Sequence, residues 1–590
     1  MTWAEIHQKP RVKERITLEV PEGVPAWAVY GREVMRSLLR YAHWWHDNRL
    51  MEDGQLGGGW NDDPCLTAYF TLQAALGDQK ALNVIQSVAD GWVENSGHNK
   101  DGFNNRRMDY LHSSDETAGR CNLLKLKYGS VRNVLRSMAC CRNLKAWLKP
   151  APNGALSLGG HDVWSGHVAG PPWTGAYVFN VFSDPVAWAW YSGDPSVTKL
   201  MLRMADTYLD AAEKLWKQNP RQFNVALGMN AKTGEWRPSS ASGQSGKEEF
   251  FFTAYVLSGF DKKYLKPGLR RKIHAGLALR ELPVKERTKY YNAKATADGL
   301  IGRNRQSYEL NTILEPAFIL AYQQTGEESY LSEGLRICLE ELLWGAEYMN
   351  SAAEKPTDRV LPPPGIKTLG HMMCGGKPPC DRTAQFGSMR VTWEDIGDEV
   401  VALVDEEGPT GVTIRAYNFA DKPKTVGMRF WRLERGEYSI SVEPTGAPGD
   451  ASTTGVGDLR RGTRVEATLQ PGLQRITVKQ TRSLPPLPKQ LPDVAVSAWF
   501  IEREADGTVR VPVYNIGSAD TGPVQVKVLV NGIQNINTQV SNIPWPKDFH
   551  AKPAVMQFRM PDVQTIRVEV GLVGGEEITG ENNVTEKVFE

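Results

Sequence analysis

The chain has 590 residues, more than one hydrophobic core usually supports, so its length predicts about two to four domains. Its 69 basic and 68 acidic residues leave a net charge of +1, which excludes binding to nucleic acid or to a membrane surface through bulk charge. No apolar run is long enough to span a bilayer, so the sequence predicts no membrane span.

From about residue 24 to residue 350, the sequence predicts helices separated by glycine-rich loops. Short turns such as Leu76–Gln79 and Ser192–Ser196 join helices in pairs. Apolar residues recur at helical spacing in four segments: Ala81, Ile85, Val88 and Trp92; Val131, Val134, Leu135 and Met138; Val197, Leu200, Met201, Met204 and Tyr208; and Leu310, Leu314, Phe318 and Tyr322. Repeated helical hairpins of this kind predict an (α/α)6-type toroid over residues 1–385.

The first polar segment of this zone is Gly54-Gln-Leu-Gly-Gly-Gly-Trp-Asn-Asp-Asp63. Its three successive glycines allow a tight backbone path at the start of a helix. They bring together an indole, an amide and two carboxylates: Trp60, Asn61, Asp62 and Asp63. A flat ring beside paired acids suits a sugar site, with Trp60 and Asn61 binding and the aspartates catalytic. The alternative is that an aspartate caps the helix and Trp60 fills the core.

A second polar segment runs from Asp101 to Arg120, has no helical period and is predicted to be a loop. Its asparagine and arginines, Asn105, Arg106, Arg107 and Arg120, are candidates for holding a carboxylate or sulfate. Its candidate catalytic residues are Tyr110, His112, Asp115 and Glu116. A solvated surface loop is the alternative.

The third segment, Gly159–Gly175, places two histidines and two tryptophans among many glycines. His161, Trp164, His167 and Trp173 are its candidate substrate-binding residues. The histidine spacing does not match a metal signature, and each histidine alone also fits a hydrogen-bonded structural role. Trp236 and Arg237 form a smaller cluster of the same kind.

Beyond residue 386, the pattern changes to alternation at period two, separated by Gly and Pro turns. Runs beginning at Val391, Val400, Val412 and Tyr438 predict a β-sandwich over residues 386–482. The proline-rich stretch 483–492 predicts a stiff, extended linker. A second β domain is predicted over residues 493–590.

That last domain resembles the CARDB family, the adhesion-type Ig-like modules of bacterial surface and secreted proteins. The resemblance covers about 100 residues and depends on Asp493-Val-Ala-Val-Ser, on Val513-Tyr-Asn-Ile-Gly-Ser-Ala-Asp-Thr-Gly-Pro523 and on Gly580-Glu-Asn-Asn-Val-Thr585. It implies a seven-stranded sandwich and favours export. The N-terminus lacks a signal-peptide pattern, so either a signal has been removed or the protein is cytosolic.

The order of the zones resembles (α/α)-toroid carbohydrate-active enzymes, which include glycoside hydrolases and polysaccharide lyases. The overall expectation is thus a multidomain α + β chain whose toroid cleaves an acidic, uronate-containing polysaccharide or oligosaccharide. A hydrolase would pair Asp62 or Asp63 with Asp115 or Glu116. A lyase would use Tyr110, His112, His161 or His167 as a base, with arginines and asparagines neutralising the sugar carboxylate. The sequence slightly favours the hydrolase, and a non-catalytic glycan-binding protein is a second alternative.

The seven cysteines give a weaker signal. Cys374 and Cys380 flank a short loop that they could close as a disulfide in an oxidising compartment. No zinc motif is present, and the sequence predicts no metal and no cofactor, although its Asp/Asn-rich loops leave calcium open. The sequence is also compatible with a homodimer and does not decide the oligomeric state.

Overall fold

The computed structural model describes residues 15–57, 60, 63–96, 99–115, 117, 119–219, 227–238, 246–270, 276–301, 310–349, 366–376, 388–445 and 452–589. Helices dominate its N-terminal part and several β-sheets form its C-terminal part. The chain is therefore a mixed α + β protein of more than one region, as the sequence predicts.

The helical region extends from residue 26 to residue 374. Its helices are α1 (Ala26–Asn48), α2 (Asp63–Thr67), α3 (Thr71–Ala75), α4 (Gln79–Glu94), α5 (Tyr110–Asp115), α6 (Leu123–Leu126), α7 (Val131–Cys141), α8 (Leu144–Trp147), α9 (Ser183–Ser192), α10 (Pro195–Gln218), α11 (Gly246–Leu257), α12 (Lys266–Arg270), α13 (Gly276–Arg280), α14 (Val284–Arg287), α15 (Ala293–Ile301), α16 (Leu310–Thr325), α17 (Ser329–Met349) and α18 (Ile366–Cys374).

In α4 and α7, most of the predicted apolar residues lie on the buried face of the helix. All four predicted residues of α4 are buried, as are Val131, Val134 and Met138 of α7. The predicted turns also begin helices, because aspartates cap them: Asp78 accepts a hydrogen bond from Ala81 N at 2.7 Å, and Asp194 accepts one from Ser196 N at 2.8 Å. Helical periodicity and the short turns therefore predicted these elements correctly.

Short strands interrupt the helices where the sequence predicts only loops. They are β1 (Asn99–Lys100), β2 (Phe103–Asn104), β3 (Met108–Asp109), β4 (Leu148–Pro150), β5 (Leu156–Leu158), β6 (Asp162–Trp164), β7 (His167–Ala169), β8 (Trp173–Thr174), β9 (Leu227–Asn230) and β10 (Trp236–Pro238). They form small sheets, of which β3-β6-β7 and β8-β9-β10 carry residues of the predicted sugar site.

The first β region follows, with strands β11 (Val391–Glu394), β12 (Val400–Glu407), β13 (Gly411–Asn418), β14 (Lys424–Phe430), β15 (Gly436–Pro444), β16 (Ser452–Leu459), β17 (Arg464–Leu469) and β18 (Gly472–Ser483). They form a three-stranded sheet, β11-β14-β17, and a five-stranded sheet, β12-β13-β18-β15-β16. The inward residues of both sheets belong to the same apolar core as α1, α4 and α18. This β region is therefore packed against the helices over a continuous core.

The second β region has strands β19 (Val494–Ala495), β20 (Glu502–Arg503), β21 (Thr508–Asn515), β22 (Val524–Val530), β23 (Ile533–Val540), β24 (Ala554–Arg559), β25 (Thr565–Leu572) and β26 (Val584–Val588). It has its own valine-rich core, which includes Val511, Val526 and Val568. Leu487 and Leu491, in the proline-rich stretch before it, pack into a core of the helical region. The predicted linker therefore contacts the helical region through these two leucines.

Among the described residues, no helix combines the length and the apolar character needed to cross a bilayer.

Candidate functional site

Two of the three polar segments predicted from sequence are joined by backbone pairing. Strand β3 pairs antiparallel with β6, so that Met108 faces Val163 and Asp109 faces Asp162. The fully buried Val163 anchors this sheet, and Ser113 donates a hydrogen bond to its carbonyl at 2.8 Å. Side chains 50 to 55 residues apart in sequence are thereby brought together on one surface.

Tyr110 and His161 lie in direct contact on that surface. The Tyr110 N–H donates to the His161 carbonyl at 2.9 Å, and the two ring centroids are 5.0 Å apart in an edge-to-face arrangement. The Tyr110 hydroxyl accepts a hydrogen bond from the Gly175 N–H at 3.1 Å. Burial raises the pKa of Tyr110, and the Gly175 N–H acts in the opposite direction by stabilising the phenolate. Tyr110 is therefore held with its proton available to a bound ligand.

Asp162 joins this pair to an arginine. One carboxylate oxygen lies 2.9 Å from His161 Nδ1, and the other lies 2.9 Å from Arg107 Nε and 2.8 Å from its terminal nitrogen. The hydrogen bond to His161 and the contacts with Arg107 hold the pKa of Asp162 below its usual range. An ionised Asp162 places the ring proton of neutral His161 on Nδ1, which leaves Nε2 as the acceptor. The sequence interpretation missed Asp162, since an aspartate after a histidine gives no signal of its own.

Aromatic rings extend the surface on both sides. Trp164 stacks on His167 with centroids 5.1 Å apart, and the Arg107 guanidinium lies 6.0 Å from the Trp164 ring. On β8, Trp173 carries the Arg237 guanidinium 3.8 Å above its ring. These partly exposed rings and cations suit a polar ligand with flat apolar faces.

Asp109 explains why part of the second segment is helical, where the sequence predicts a loop. Its carboxylate accepts hydrogen bonds from Leu111 N at 3.0 Å and His112 N at 3.1 Å, which caps α5. Its other oxygen lies 2.5 Å from the exposed His112 ring, and this partner helps to lower the pKa of Asp109 against the effect of burial. Six residues are too few to show a helical period. Asn105 and Arg106 are exposed just before β3.

The glycine-rich first segment is placed differently. Asp63 is fully buried, and its carboxylate accepts a hydrogen bond from Leu56 N at 2.7 Å. Arg49 completes this turn by donating to the Leu56 carbonyl at 2.6 Å. Trp60 packs edge-on against Trp92, 5.4 Å away. Asn61 and Asp62 lie outside the described residues. The carboxylate of Asp63 binds Leu56 N, which precedes the helix, and the site roles expected of Asp63 and Trp60 stay predictions.

Two further candidates in the second segment are also buried. Arg120 forms an ion pair with buried Asp184 at 2.7 Å, and Ser137 donates to the same carboxylate at 2.8 Å. Asp115 is 1% exposed, and Glu116 lies outside the described residues. The roles predicted for Arg120 and Asp115 stay predictions, and neither side chain is on the surface that carries Tyr110.

The first and second segments nevertheless meet. Gly119 follows α5 and has a φ of +80°, and a Cβ there would lie 1.9 Å from Thr67 Oγ1 of α2. Only glycine permits this approach of the two backbones. The segment that carries Asp115 is therefore packed on the helix that begins at Asp63.

Within the described ranges, no group of three or more His, Cys, Asp or Glu side chains is arranged to hold a metal ion. Cys374 is buried and unbonded, and Cys380 lies outside the described residues.

No family model matches the chain, and no curated protein matches it either. Among solved structures, it is similar to a β-glucuronidase from Ruminococcus gnavus in complex with uronic deoxynojirimycin, at 12% identity over 28% of this chain and 36% of that chain, with a TM-score of 0.12. It is also similar to a β-porphyranase of glycoside hydrolase family 86 from Bacteroides plebeius, at 9% identity over 28% of this chain and 31% of that chain, with a TM-score of 0.10.

A third similar structure is a class 5 fimbriae chaperone, at 11% identity over 32% of this chain and 98% of that chain, with a TM-score of 0.11. The chain spans about a third of the length of the two glycoside hydrolases. At these TM-scores the likeness does not extend to the whole fold, and no site residue is carried over from it.

Proposed function

We propose that this chain is a carbohydrate-active enzyme that cleaves a glycosidic bond in an acidic, uronate-containing glycan by β-elimination. The observation that carries the proposal is the contact of Tyr110 with His161, with Arg107 bound to the same aspartate as His161. A proton donor, a proton acceptor and a cation at one surface are the groups that elimination requires.

In this proposal, His161 Nε2 takes the proton from C5 of the uronate. The electrons of the C5–H bond form the C4–C5 double bond, the C4–O bond breaks, and the leaving oxygen takes the Tyr110 proton. Arg106 and Arg107 stabilise the charge that develops on the sugar carboxylate. Burial raises the pKa of Tyr110, so the hydroxyl keeps its proton at neutral pH until the leaving oxygen takes it.

Hydrolysis by two carboxylates is the second candidate. It is supported by the packing of the Asp115 segment onto the helix that begins at Asp63. It is weakened by the burial of both carboxylates, because a general acid and a nucleophile must reach the glycosidic bond. Asp62 and Glu116 remain the other proposed members of this pair.

The sequence-based architecture is part of the proposal. We infer a toroid over residues 1–385 and a sandwich over 386–482. The linker 483–492 and a CARDB-like sandwich over 493–590 complete the chain. This arrangement, together with secretion or display at the cell surface, suits an enzyme that meets a polymeric glycan outside the cell.

The test is incubation with a panel of uronate-containing polysaccharides, following the ultraviolet absorbance of an unsaturated uronate and the release of reducing ends in parallel. Both signals should rise, and Tyr110→Phe or His161→Gln should lower the rate at least about a hundredfold. The matched controls are Tyr290→Phe, an exposed tyrosine, and His46→Gln, whose Nδ1 contacts Asp47 at 2.8 Å as that of His161 contacts Asp162.

Reducing ends without absorbance would support hydrolysis instead. Full activity of Tyr110→Phe would refute the role given to Tyr110. Binding of the polymer without either signal would favour a glycan-binding protein.

A further inference from the structure

A cleft of about 1050 Å³ separates the helical region from the five-stranded sheet of the first β region. Its helical side is formed by the end of α11 and by α13, α14 and the end of α16, and its other side by β12, β13 and β18. None of its lining residues belongs to the surface around Tyr110. Its volume is just above the usual range of ligand sites, about 300 to 1000 Å³, and such sites often lie at domain interfaces.

The lining of the cleft carries six arginines and six carboxylates, and its floor is a network of ion pairs between three of these arginines and two glutamates. Glu281 is bound by Arg432 at 2.5 and 2.6 Å and by Arg390 at 3.1 Å, while Glu407 is bound by Arg390 at 2.8 Å and by Arg280 at 3.1 Å. All five side chains are at most 10% exposed. An ionic ligand would have to compete with these ion pairs. Hydroxyl groups can hydrogen-bond to such donors and acceptors without adding charge.

The sheet wall offers further polar groups. Register places Thr413 opposite Thr477 and Arg415 opposite Arg475 on neighbouring strands, with their side chains on the outward face. Within the described part of the chain, the side chains of Thr413, Thr477 and Arg475 make no hydrogen bond or ion pair to protein groups. Their hydroxyls and guanidinium are therefore available to a ligand.

The rim carries an exposed aromatic ring on a strained backbone. Phe260 is 46% exposed and has a φ of +73°, a region that non-glycine residues rarely occupy. Its ring is flanked by Tyr255, 5.3 Å away, and by the Arg432 guanidinium, 5.0 Å away. Strain of this kind collects at binding sites. A sugar ring packs its apolar face on such a side chain.

We propose that this cleft is a second glycan-binding site, which holds a hydroxyl-rich oligosaccharide segment between Phe260 and the outward face of β13 and β18. The glycan class is taken from the proposed function, on which the inference rests. The cleft would hold one part of a polymeric substrate while another part reaches the surface around Tyr110.

The test uses Tyr110→Phe protein, in which turnover should be slowed at least about a hundredfold, with a neutral glucan hexasaccharide and a hexauronate as probes at millimolar concentration. Hydrogen exchange is followed in segments 255–262, 281–287, 405–413 and 475–477 of the cleft and in segments 103–112 and 161–175 of the other surface. Protection of the cleft segments by at least one hexasaccharide is expected. Protection of 103–112 and 161–175 alone overturns the inference and leaves the proposed function standing. Protection of the cleft segments alone overturns the proposed function and leaves the second binding site standing. If no segment is protected, both the proposed function and the second binding site are overturned.

Calorimetric titration of variants then localises the binding. Phe260→Ala and Arg475→Ser should each weaken binding in the cleft about tenfold. If the alanine variant folds poorly, Phe260→Gly replaces it in the titration, because glycine removes the ring and also relieves the backbone strain. The matched controls are Tyr290→Ala, an exposed aromatic outside the cleft, and Lys479→Ser, on the same strand as Arg475. Unchanged affinity in the Phe260 and Arg475 variants, or equal protection by inorganic sulfate, overturns recognition through hydroxyl groups.

Discussion

The Tyr191 hydroxyl, near the end of α9, donates a hydrogen bond to the carboxyl of Asp493 at the start of the second β region. Both side chains are buried. Close by, Arg461 of the first β region donates to the Trp190 carbonyl at 2.6 Å and to the Tyr191 carbonyl at 2.8 Å. The end of this helix is therefore bound by both β regions, which ties all three parts of the chain together.

Replacing Tyr191 with phenylalanine should lower the free energy of unfolding by about 2 kcal/mol, because the buried Asp493 carboxyl loses a donor. Calorimetry should show a lower Tm, and hydrogen exchange should accelerate in residues 494–588. The control is Tyr514→Phe, which removes a hydroxyl with no hydrogen-bond partner among the described residues. Equal Tm values for the two variants would show that this contact does not stabilise the junction.

The burial of Lys125 should make the free energy of unfolding depend on pH. It is 4% exposed, and its Nζ lies 5.2 Å from the Trp190 ring and 5.4 Å from the Trp431 ring, with no hydrogen-bond partner among the described residues. Burial, with Arg432 and Arg461 acting in the same direction, lowers the pKa of Lys125 to about 7.

In the unfolded chain, Lys125 titrates near its ordinary value of about 10.4. As the pH falls from about 10 to about 7, the unfolded chain binds a proton that the folded chain does not, so the free energy of unfolding decreases. Below about pH 7 the folded chain binds the proton as well, and the decrease in unfolding free energy is complete.

Lys125→Met should thus raise the unfolding free energy at pH 6 by a few kcal/mol and flatten the rise of the unfolding free energy between about pH 7 and 10. Urea unfolding at several pH values checks this, with the exposed Lys199→Met as control. Parallel pH curves for Lys125→Met and the unmutated protein would contradict it.

Asp162→Asn tests the positioning of His161. The amide cannot hold both the His161 Nδ1 proton and the Arg107 guanidinium as the carboxylate does, so kcat should fall about tenfold to a hundredfold with a smaller change in KM. Steady-state kinetics on a confirmed substrate separate the effect on kcat from the effect on KM. The control is Asp47→Asn, since Asp47 likewise joins a histidine, His46, to a cation, Lys80, at 2.8 and 2.6 Å. An equal effect of both substitutions would place Asp162 outside the reaction.

Gly175→Ala tests whether the position of the Tyr110 hydroxyl matters for the reaction. A Cβ at Gly175 would lie 2.9 Å from that oxygen, so the tyrosine must move, and kcat should fall severalfold with Tm nearly unchanged. Gly228→Ala is the control on β9, where the nearest atoms would be 3.5 Å away. Kinetics and calorimetry on both variants separate displacement of Tyr110 from loss of stability. Normal kcat in Gly175→Ala would mean that the position of the hydroxyl does not limit the reaction.

Local sequence patterns, namely helical spacing, strand alternation and turns, predicted much of the fold. Helical spacing along α4, α7 and α10 and alternation along β13 and β15 matched the buried faces, because burial on one side imposes a period on the sequence. In β12 the first five residues are all buried, so alternation did not describe that strand. The predicted turns at Leu76–Gln79 and Ser192–Ser196 also precede helix starts, where the structure shows Asp78 and Asp194 as the caps. The segment 101–120 was predicted wrongly as all loop, because α5 is too short to show a period and its strands have only two residues each.

The sequence by itself determined the helical and β zones and the residue types available for chemistry. Only the tertiary structure decided that the pairing of β3 with β6 brings Tyr110 to His161, while Asp63 and Arg120 turn inward to Leu56 and Asp184. Period and composition depend on neighbours a few residues apart. Strand pairing and ion pairing depend on residues that the folded chain brings together from distant positions, and those contacts leave no local pattern.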